Sequence, residues 1–395
     1  MKFSGVDYYD IEGMLSDDEK ILRDTVRDFM DREFKPLVID SFHHEKPLDW
    51  HDLAPKLGEL GLIGPILPRE YGCAGASYMS YGLIAQEAER VDSAIGGYIR
   101  EETALFMYPV WKFGSEDHKK ILPQLARGEK IGCFGLTEPD HGSDVASMST
   151  VAKRRGNKWV INGSKQWISE ATDADYAIIW AQTDDGIRAF LVERGTEGFV
   201  QSFESHKGSM RASDVGSLSL MDCVVSEENM LPKALGLRSP LMCLDQARFV
   251  IAWGSVGAAM DCYETALNYT KEREQFGAPI ASYQLVQEKL VDMLIEITKA
   301  QLVAYRLARL MDEGKATYNQ ISLAKKNNTA MARKCARTAR DLLGANGISL
   351  KYSPIRHMAN FESIYTYQGT DHTHTLILGR DITGISAFRS ESQAQ

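Results

Sequence analysis

The chain has 395 residues, of which 44% are hydrophobic and 25% are charged, a composition that excludes an intrinsically disordered or collagen-like chain. With 45 basic and 54 acidic residues the net charge is −9, which argues against nucleic-acid binding because that binding depends on basic residues that neutralise phosphates. The six cysteines form no CxxC pair, so the sequence predicts reduced thiols rather than a zinc site or a disulfide framework.

The distribution of apolar residues bears on where the protein is located in the cell. The first residues, MKFSGVDYYDIEG, are acidic and lack the apolar stretch of a signal peptide. No part of the chain approaches the run of about 18 apolar residues that a membrane-spanning helix needs. We therefore expect a cytoplasmic protein that does not enter the membrane.

The first third of the chain is predicted to be helical. Ser16 and Glu19 have the spacing of a capping box, and apolar residues follow at helical spacing over 16–38. A second, short helix is expected over 53–62, before a loop rich in glycine and proline. Further helices with small and apolar buried faces are expected over 80–130.

The pattern changes near residue 134. Short apolar runs alternate with turn residues, which predicts an all-β segment over about 134–230. Four longer helices that suit a bundle are then expected at 241–271, 282–313, 318–345 and 371–388. Helices followed by strands and again by helices disfavour a Rossmann fold, in which strands and helices alternate.

Several phrases of the sequence, taken in order, resemble the flavin motifs of the acyl-CoA dehydrogenase family. They are FGLTEPDHGSD at 134–144, Trp167-Ile168-Ser169, Arg273 with QFG at 275–277, Gln284, DLLGANG at 341–347, and Gly369-Thr370. Four further segments, at 57–61, 71–75, 251–254 and 378–384, are especially similar to the glutaryl-CoA dehydrogenase branch. The resemblance covers about residues 15–388.

The resemblance implies a fold and a set of ligands. The expected fold is α+β and mainly α, with an N-terminal helical domain over 1–133, a middle β-barrel or sandwich domain over 134–240, and a C-terminal four-helix bundle over 241–395. The expected cofactor is FAD, and the expected substrate is an acyl-CoA thioester. Either O2 or an electron-transfer flavoprotein would reoxidise the flavin, and the protein would be a homotetramer.

A flavin needs backbone donors on small-residue loops, a cation and an aromatic wall. Gly135, Gly142 and Ser143 offer the first, Arg273 the second and Trp167 the third. By the resemblance, the residues that bind FAD are Phe134, Leu136, Thr137, Gly142, Ser143, Trp167, Ile168, Ser169, Arg273, Phe276, Gln284, Asp341, Leu342, Gly344, Thr370 and His372. No metal is expected, because His372 and His374 are two residues apart on a predicted helix and therefore do not share a face.

The residue expected to act as a base is missing. The family's reaction removes the proton α to a thioester while the flavin takes a hydride from the β carbon, and this needs a carboxylate. The resemblance puts that carboxylate just before Gly-Thr, where this sequence has Gln368, or just before an arginine on the first helix of the bundle, where it has Ala247. The amide of Gln368 has no usable basicity and the methyl group of Ala247 has none, so both positions lack a base.

The expected substrate contacts also depart from the family pattern. The resemblance implies that the backbone N–H of residue 368 holds the thioester oxygen. The glutaryl branch has an arginine for the distal carboxylate of its substrate, and an ungapped alignment puts Gly96 there, which makes glutarate a doubtful substrate. The residues expected to bind the substrate are Gly96, Gly97, Arg100, Ser143, Arg248, Tyr367 and Gly369.

Nearby on the chain, Arg100, Glu101 and Glu102 are interpreted first as a solvated helix face and second as the source of a substitute base. With Gln368, the two glutamates complete the candidate catalytic residues.

Our leading hypothesis is a non-standard FAD enzyme that acts on an acyl-CoA thioester: a monooxygenase or dioxygenase, or an enzyme of secondary metabolism that oxidises a ring-bearing CoA ester. The alternative is a conventional, glutaryl-CoA-like α,β-dehydrogenase whose base is relocated to Glu101 or Glu102, or in which Gln368 is an engineered replacement of glutamate. A catalytically silent flavin-dependent binding protein is a minor alternative.

Overall fold

The computed structural model describes residues 7–387, so the ends of the predicted first and last domains and the last residue of the predicted helix 371–388 lie outside the described residues. The chain divides into two compact units. Unit 1 comprises Met1–His43, Tyr78–Gly96 and Arg248–Gln395, and unit 2 comprises His44–Ser77 and Gly97–Ala247.

Helices dominate both ends of the chain. The α-helices are α1 (Asp17–Phe29), α2 (Lys35–His44), α3 (Trp50–Glu59), α4 (Tyr78–Val91), α5 (Ser93–Arg100), α6 (Tyr108–Phe113), α7 (Glu116–Lys119), α8 (Leu122–Ala126), α9 (Arg238–Glu272), α10 (Gln284–Asp312), α11 (Tyr318–Leu342), α12 (Ser353–Ile364) and α13 (Asp371–Thr383). Two π-helical segments, Met30–Phe34 and Glu101–Met107, continue α1 and α5. Short 3-10 helices lie at Ile11–Met14, Arg69–Tyr71, Val145–Ser147, Glu227–Asn229, Ile280–Ser282 and Gly344–Ile348.

The strands are concentrated in the middle of the chain. They are β1 (Gly132–Gly135), β2 (Val151–Arg155), β3 (Lys158–Ser169), β4 (Tyr176–Thr183), β5 (Gly186–Glu193), β6 (Phe199–Phe203), β7 (Val215–Ser226), β8 (Glu274–Gln275) and β9 (Ala278–Pro279). This order of helices, sheet and helices confirms the predicted fold class.

Unit 2 is built on a mixed sheet of seven strands in the order β1-β4-β2-β3-β7-β6, with β5 also paired to β4. The β1–β4 pair is parallel, whereas β3 and β7 form a long antiparallel pair. Residues 177–181 of β4 are buried without interruption, which is typical of a strand covered on both faces. β1 lies at one end of this strand order, and the loop of the first flavin motif follows it in the chain.

Unit 1 is a helical assembly with a polar core as well as an apolar one. Arg27 and Glu87 form a buried ion pair with 2.7 Å between Nε and Oε2. Two helices of the unit approach closely at Gly82, where an added Cβ would lie 2.3 Å from the Trp253 ring. Only glycine leaves room for the indole there.

Helix α12 is an element that the sequence patterning missed, so five helices rather than four follow the sheet within residues 7–387. Its buried face includes Arg356, His357 and Asn360. Arg356 bonds Asp92 at 2.6 Å and His357 lies 3.2 Å from Asp261. The other buried residues of this face are Pro354, Phe361 and Ile364, and with polar residues between them the apolar spacing is incomplete, which is why hydrophobic spacing failed to reveal the helix.

All six cysteines are unpaired and buried, which agrees with the prediction of reduced thiols. Among residues 7–387, no helix is both long and apolar enough to cross a bilayer.

Candidate active site

The turn between α12 and α13 carries Tyr367, Gln368, Gly369 and Thr370, and its backbone is bent into an unusual conformation. Gln368 has φ 52° and Gly369 has φ 96°. A left-handed conformation is easy for glycine but costs energy in a residue with a side chain. The surrounding structure of unit 1 therefore has to hold this turn in place.

Two buried cations hold it through three successive carbonyl groups. Arg248 donates from Nε to the Gln368 carbonyl at 2.8 Å. Lys325, which has no exposed surface, donates from Nζ to the carbonyls of Tyr367 at 3.2 Å and Gly369 at 2.8 Å. We call Arg248 and Lys325 the carbonyl clamp. The sequence predicted Arg248 as a substrate contact, whereas Lys325 gave no sequence signal because a lone lysine is usually solvated.

His374 packs against the same turn from α13. Its Nε2 lies 2.9 Å from the position that a Cβ on Gly369 would occupy, and its Nδ1 lies 3.1 Å from the Ser322 hydroxyl. Burial, together with the charges of Lys325 and Arg248, lowers the pKa of His374 to about 3. The imidazole is therefore neutral and too weakly basic to replace the missing carboxylate.

In unit 2, the flavin-motif loop after β1 is fixed by a buried ion pair that the sequence analysis missed. Lys165 on β3 donates to Glu138 Oε1 at 2.8 Å and to the Leu136 carbonyl at 3.1 Å. The Gln166 N–H donates to the Thr137 carbonyl at 2.9 Å. These bonds bring Leu136 and Thr137 to the end of β3, beside the second flavin phrase.

The pair is held by opposing electrostatic effects. Burial disfavours the charged form of Glu138, but hydrogen bonds from Lys165 and Thr150 bring the pKa of its carboxyl down to about 2. Burial lowers the pKa of Lys165 to about 8, against the effect of Glu138. Both groups are charged at neutral pH.

Trp167 lies at a β-bulge in β3. The pairing of β3 with β7 shifts register between Gln166 and Ile168, and Trp167 has φ 62°. Bulges redirect side chains out of the regular alternation. The indole is 58% exposed and presents a flat aromatic surface of the kind that a flavin ring requires.

The remaining predicted cofactor residues occupy two regions. In unit 2, Phe134 is buried, and Gly142 and Ser143 are exposed on an open loop; Ile168 is buried and Ser169 is half-buried. In unit 1, Arg273 and Phe276 lie at the β8–β9 hairpin, Gln284 begins α10, and Asp341, Leu342 and Gly344 lie at the end of α11, where Asp341 pairs with Lys289. Thr370 caps α13, and His372 is exposed in its first turn.

The interpretation of Arg100, Glu101 and Glu102 as a solvated helix face is wrong. Their relative exposures are 2%, 9% and 0%. Arg100 donates to Glu101 Oε1 from Nη2 at 2.9 Å, and its Nη2 is 3.6 Å from the position of a Cβ on Gly97. Chain periodicity could not reveal this, because these residues lie in and beside a π-helical segment that covers Glu101–Met107.

The two candidate glutamates have different environments. Glu102 Oε1 accepts the Gly132 N–H at 2.8 Å, and burial raises the pKa of its carboxyl well above its usual range. Glu170, at the end of β3, is buried beside both glutamates, and burial raises the pKa of its carboxyl likewise. Within the described part of the chain, Glu101 is the one of the three that pairs with an arginine, with 2.9 Å between Arg100 Nη2 and its Oε1. The structure thus separates Glu101, which pairs with an arginine, from Glu102, which accepts a backbone N–H.

The side chain of Glu89, in the same unit, occupies the space that a side chain at position 96 would need. A Cβ on Gly96 would lie 2.1 Å from Glu89 Oε2, and one on Gly254 would lie 3.1 Å from it. Two glycines therefore make room for a carboxylate. An arginine side chain at position 96 would need Glu89 to move.

The residues present fit the flavin that the resemblance implies. Within unit 2, the exposed indole of Trp167 offers an aromatic wall and the open loop at Gly142 and Ser143 offers backbone donors, and within unit 1 the exposed Arg273 offers a cation. The described part of the chain contains no group of three or more His, Cys, Asp or Glu residues that could hold a metal ion.

Comparison with known proteins gives consistent results along the chain. Family models match the acyl-CoA dehydrogenase N-terminal domain at 16–129, its middle domain at 133–223 and its C-terminal domain at 235–383. Glutaryl-CoA dehydrogenase of Desulfococcus multivorans is 33% identical over 381 residues, covering 94% of this chain and 98% of the relative.

Solved structures agree with these matches. A glutaryl-CoA dehydrogenase from Mycobacterium smegmatis in complex with FADH2 is 45% identical with a TM-score of 0.95, covering 96% of this chain and 98% of that one. A chain from the structure of the electron transferring flavoprotein of Acidaminococcus fermentans is 31% identical with a TM-score of 0.89, covering 96% and 100%.

Proposed function

Because this chain belongs to the acyl-CoA dehydrogenase family, we propose that it catalyses α,β-dehydrogenation of an acyl-CoA thioester. The chain is an FAD-dependent acyl-CoA oxidoreductase. When bound, FAD supplies the acceptor for the hydride that leaves the β carbon. The relatives support the conventional alternative raised by the sequence better than its leading oxygenase hypothesis.

The observation that carries the proposal is the geometry of the turn at 367–369. Its three carbonyls accept hydrogen bonds from the clamp. In a trans peptide the N–H of the next residue points opposite to the carbonyl. The Gln368 N–H therefore points away from Lys325, as a donor to the thioester oxygen has to. Replacement of a catalytic glutamate by Gln368 leaves this backbone donor in place.

We propose Glu101 as the carboxylate that takes the α-proton. Its partner Arg100 favours the ionised form, because a cation within hydrogen-bond distance stabilises a carboxylate. Glu102 is less suited to this role, because its Oε1 already accepts the Gly132 N–H and burial raises the pKa of its carboxyl. Gly97 and Arg100 remain the proposed neighbours of the acyl group.

The test compares Glu101→Gln with Glu102→Gln by anaerobic flavin reduction with a panel of saturated acyl-CoA esters. We expect Glu101→Gln to slow reduction by about 10²–10⁴-fold, the usual contribution of a general base. Glu102→Gln is the matched control and should reduce at the wild-type rate, since an amide oxygen can still accept the Gly132 N–H. Equal rates in wild type and Glu101→Gln would disprove the assignment.

A second candidate function is favoured by one observation, the absence of a carboxylate at both Gln368 and Ala247. Such a site suits a thioester that is already acidic, for example one conjugated to a ring, whose oxidation would leave reduced flavin to react with O2. Incorporation of labelled oxygen from ¹⁸O2 into the product would establish this oxygenase reaction. Turnover of a saturated ester without incorporation would establish the dehydrogenase.

We further propose an electron-transfer flavoprotein as the electron acceptor, a homotetrameric assembly and a reducing cytoplasmic location. The first is supported by the structural relative from an electron transferring flavoprotein. The assembly is supported by exposed apolar side chains near the predicted cofactor residues of unit 1, where Phe276 is 97% and Leu285 73% exposed. The location is supported by six unpaired cysteines.

A further inference from the structure

We propose that Lys325 is a positioning residue that aims and strengthens the backbone donor for the thioester oxygen. The inference rests on the proposed function, because it assigns a task to the turn that we expect to bind the substrate. It extends that function to a residue of α11 that makes no contact with the acyl group in our proposal.

The first step of the argument is the peptide plane shared by Tyr367 and Gln368. The carbonyl of Tyr367 and the N–H of Gln368 belong to one planar group and point in opposite directions. Lys325 Nζ lies 3.2 Å from that carbonyl oxygen. Because the lysine fixes the direction of the carbonyl, it also fixes the direction of the Gln368 N–H.

The second step concerns strength. A charged donor on the carbonyl polarises the peptide group, and hydrogen bonds in such a chain reinforce one another. Lys325 is completely buried, so water screens this effect little. The Gln368 N–H should therefore be a better donor than a peptide N–H at a solvated turn.

The third step concerns the cost of the conformation. Gln368 is held in the left-handed region, where a side chain is unfavourable. Lys325 also binds the carbonyl on the other side, that of Gly369, at 2.8 Å. The lysine thus bridges the residues before and after Gln368 and holds the strained residue between them.

The neighbouring Lys326 provides a matched control on the same helix. Its Nζ donates to Asp371 Oδ2 at 2.5 Å and lies 3.5 Å from the Asp371 carbonyl. The variant Lys326→Met removes the same charge from the same region. In the described structure the hydrogen bonds of Lys326 go to Asp371 rather than to the carbonyls of residues 367–369.

The experiment measures how much a thioester carbonyl adds to binding in the FAD-loaded protein. Acetyl-CoA and its thioether analogue S-ethyl-CoA are titrated by calorimetry and by the flavin absorption change. Acetyl-CoA has no β carbon and cannot be α,β-dehydrogenated, and the two ligands differ only in that the carbonyl group of one is a methylene group in the other. The ratio of their Kd values cancels any change in affinity for the CoA portion or in general stability.

For the wild type and Lys326→Met we expect acetyl-CoA to bind roughly fivefold or more tightly than the thioether, which is the usual worth of one hydrogen bond. For Lys325→Met we expect the ratio to fall to about one while FAD content stays normal, and for Lys325→Arg we expect partial recovery. A wild-type ratio in Lys325→Met would overturn the inference.

If Lys325→Met does not fold, Lys325→Gln is measured in its place by the same Kd ratio and FAD content. The glutamine side chain is shorter and neutral, so it cannot place a charge between the two carbonyls. A wild type that binds both ligands equally would instead disprove the proposed thioester site, and the inference with it. The two failures are therefore distinguishable.

Discussion

Gln368 shows how one residue can lose a side-chain function and keep a backbone function. Its amide cannot accept the α-proton, yet its backbone keeps an N–H donor, a left-handed φ of 52° and a carbonyl that accepts from Arg248. We expect Gln368→Glu to bind thioesters much as the wild type does. If it also reduces flavin faster with saturated esters, the turn has kept the geometry of a dehydrogenase.

His374 makes a prediction about acid stability. Its pKa is about 3 in the folded protein, against an ordinary value of 6.5. Between these values the unfolded chain holds more protons than the folded chain, so the free energy of unfolding falls as pH drops from about 6.5 towards 3. One such group gives a slope of up to about 1.4 kcal/mol per pH unit.

Urea unfolding of the wild type and His374→Gln at several pH values tests this. The variant should show a shallower decline between pH 6.5 and 3, whereas the stabilities above pH 6.5 should be parallel. Identical slopes would mean that His374 is not protected from protonation in the folded protein.

At the level of elements, the ion pair of Lys165 and Glu138 links β3 to the flavin-motif loop. Removal of one partner of a buried pair leaves the other charge uncompensated and costs about 3–5 kcal/mol. We therefore expect Lys165→Met to lower both the unfolding free energy and FAD retention. Denaturant unfolding and flavin content after gel filtration measure the two effects.

The double variant Lys165→Met/Glu138→Gln is the control for that prediction, because it removes both charges. It should recover a large part of the lost stability. A double variant as unstable as the single one would show that packing of the lysine, rather than its charge pair, holds the loop.

The bulge in β3 sets the direction of the Trp167 side chain. The side chain is 58% exposed, so Trp167→Ala should change the unfolding free energy little. It should weaken FAD binding substantially, since aromatic stacking on the ring is lost. Fluorescence titration of apoprotein with FAD measures this, and unchanged affinity would contradict the proposed stacking.

Most elements were predictable because their buried faces are apolar and regular. The helices at 284–312 and 318–342 lie within three residues of the predicted boundaries, 282–313 and 318–345, for this reason. Helix α12 was not predictable, because half of its buried residues are polar and their partners, Asp92 and Asp261, are distant in sequence. Pro354 in its first turn starts the helix instead of ending it.

The candidate site was predictable to a similar degree. Its backbone motifs are local in sequence, so the flavin phrases and the turn before Gly369 could be identified. Lys325, Lys165 and the burial of Arg100 depend on contacts across the fold. No local pattern distinguishes a buried lysine from the many solvated ones.

For the whole molecule, we expect a tetramer in sedimentation velocity at micromolar protein concentration. The reason is the unusual exposure of apolar residues in unit 1, above all Phe276 at 97%, since large exposed apolar patches mark interaction surfaces. Phe276→Asp should shift the distribution towards smaller species and lower flavin content. A wild-type monomer at these concentrations would contradict this prediction.

The burial of every cysteine has a consequence for oxidative damage. Flavoproteins that meet O2 release hydrogen peroxide, which attacks thiolates rather than thiols. Burial raises the pKa of Cys73 and Cys335 to about 12 and that of Cys223 to about 11, and raises the pKa of the other three thiols as well. The native protein should thus withstand its own peroxide, and a thiol reagent should label it only as fast as the fold opens.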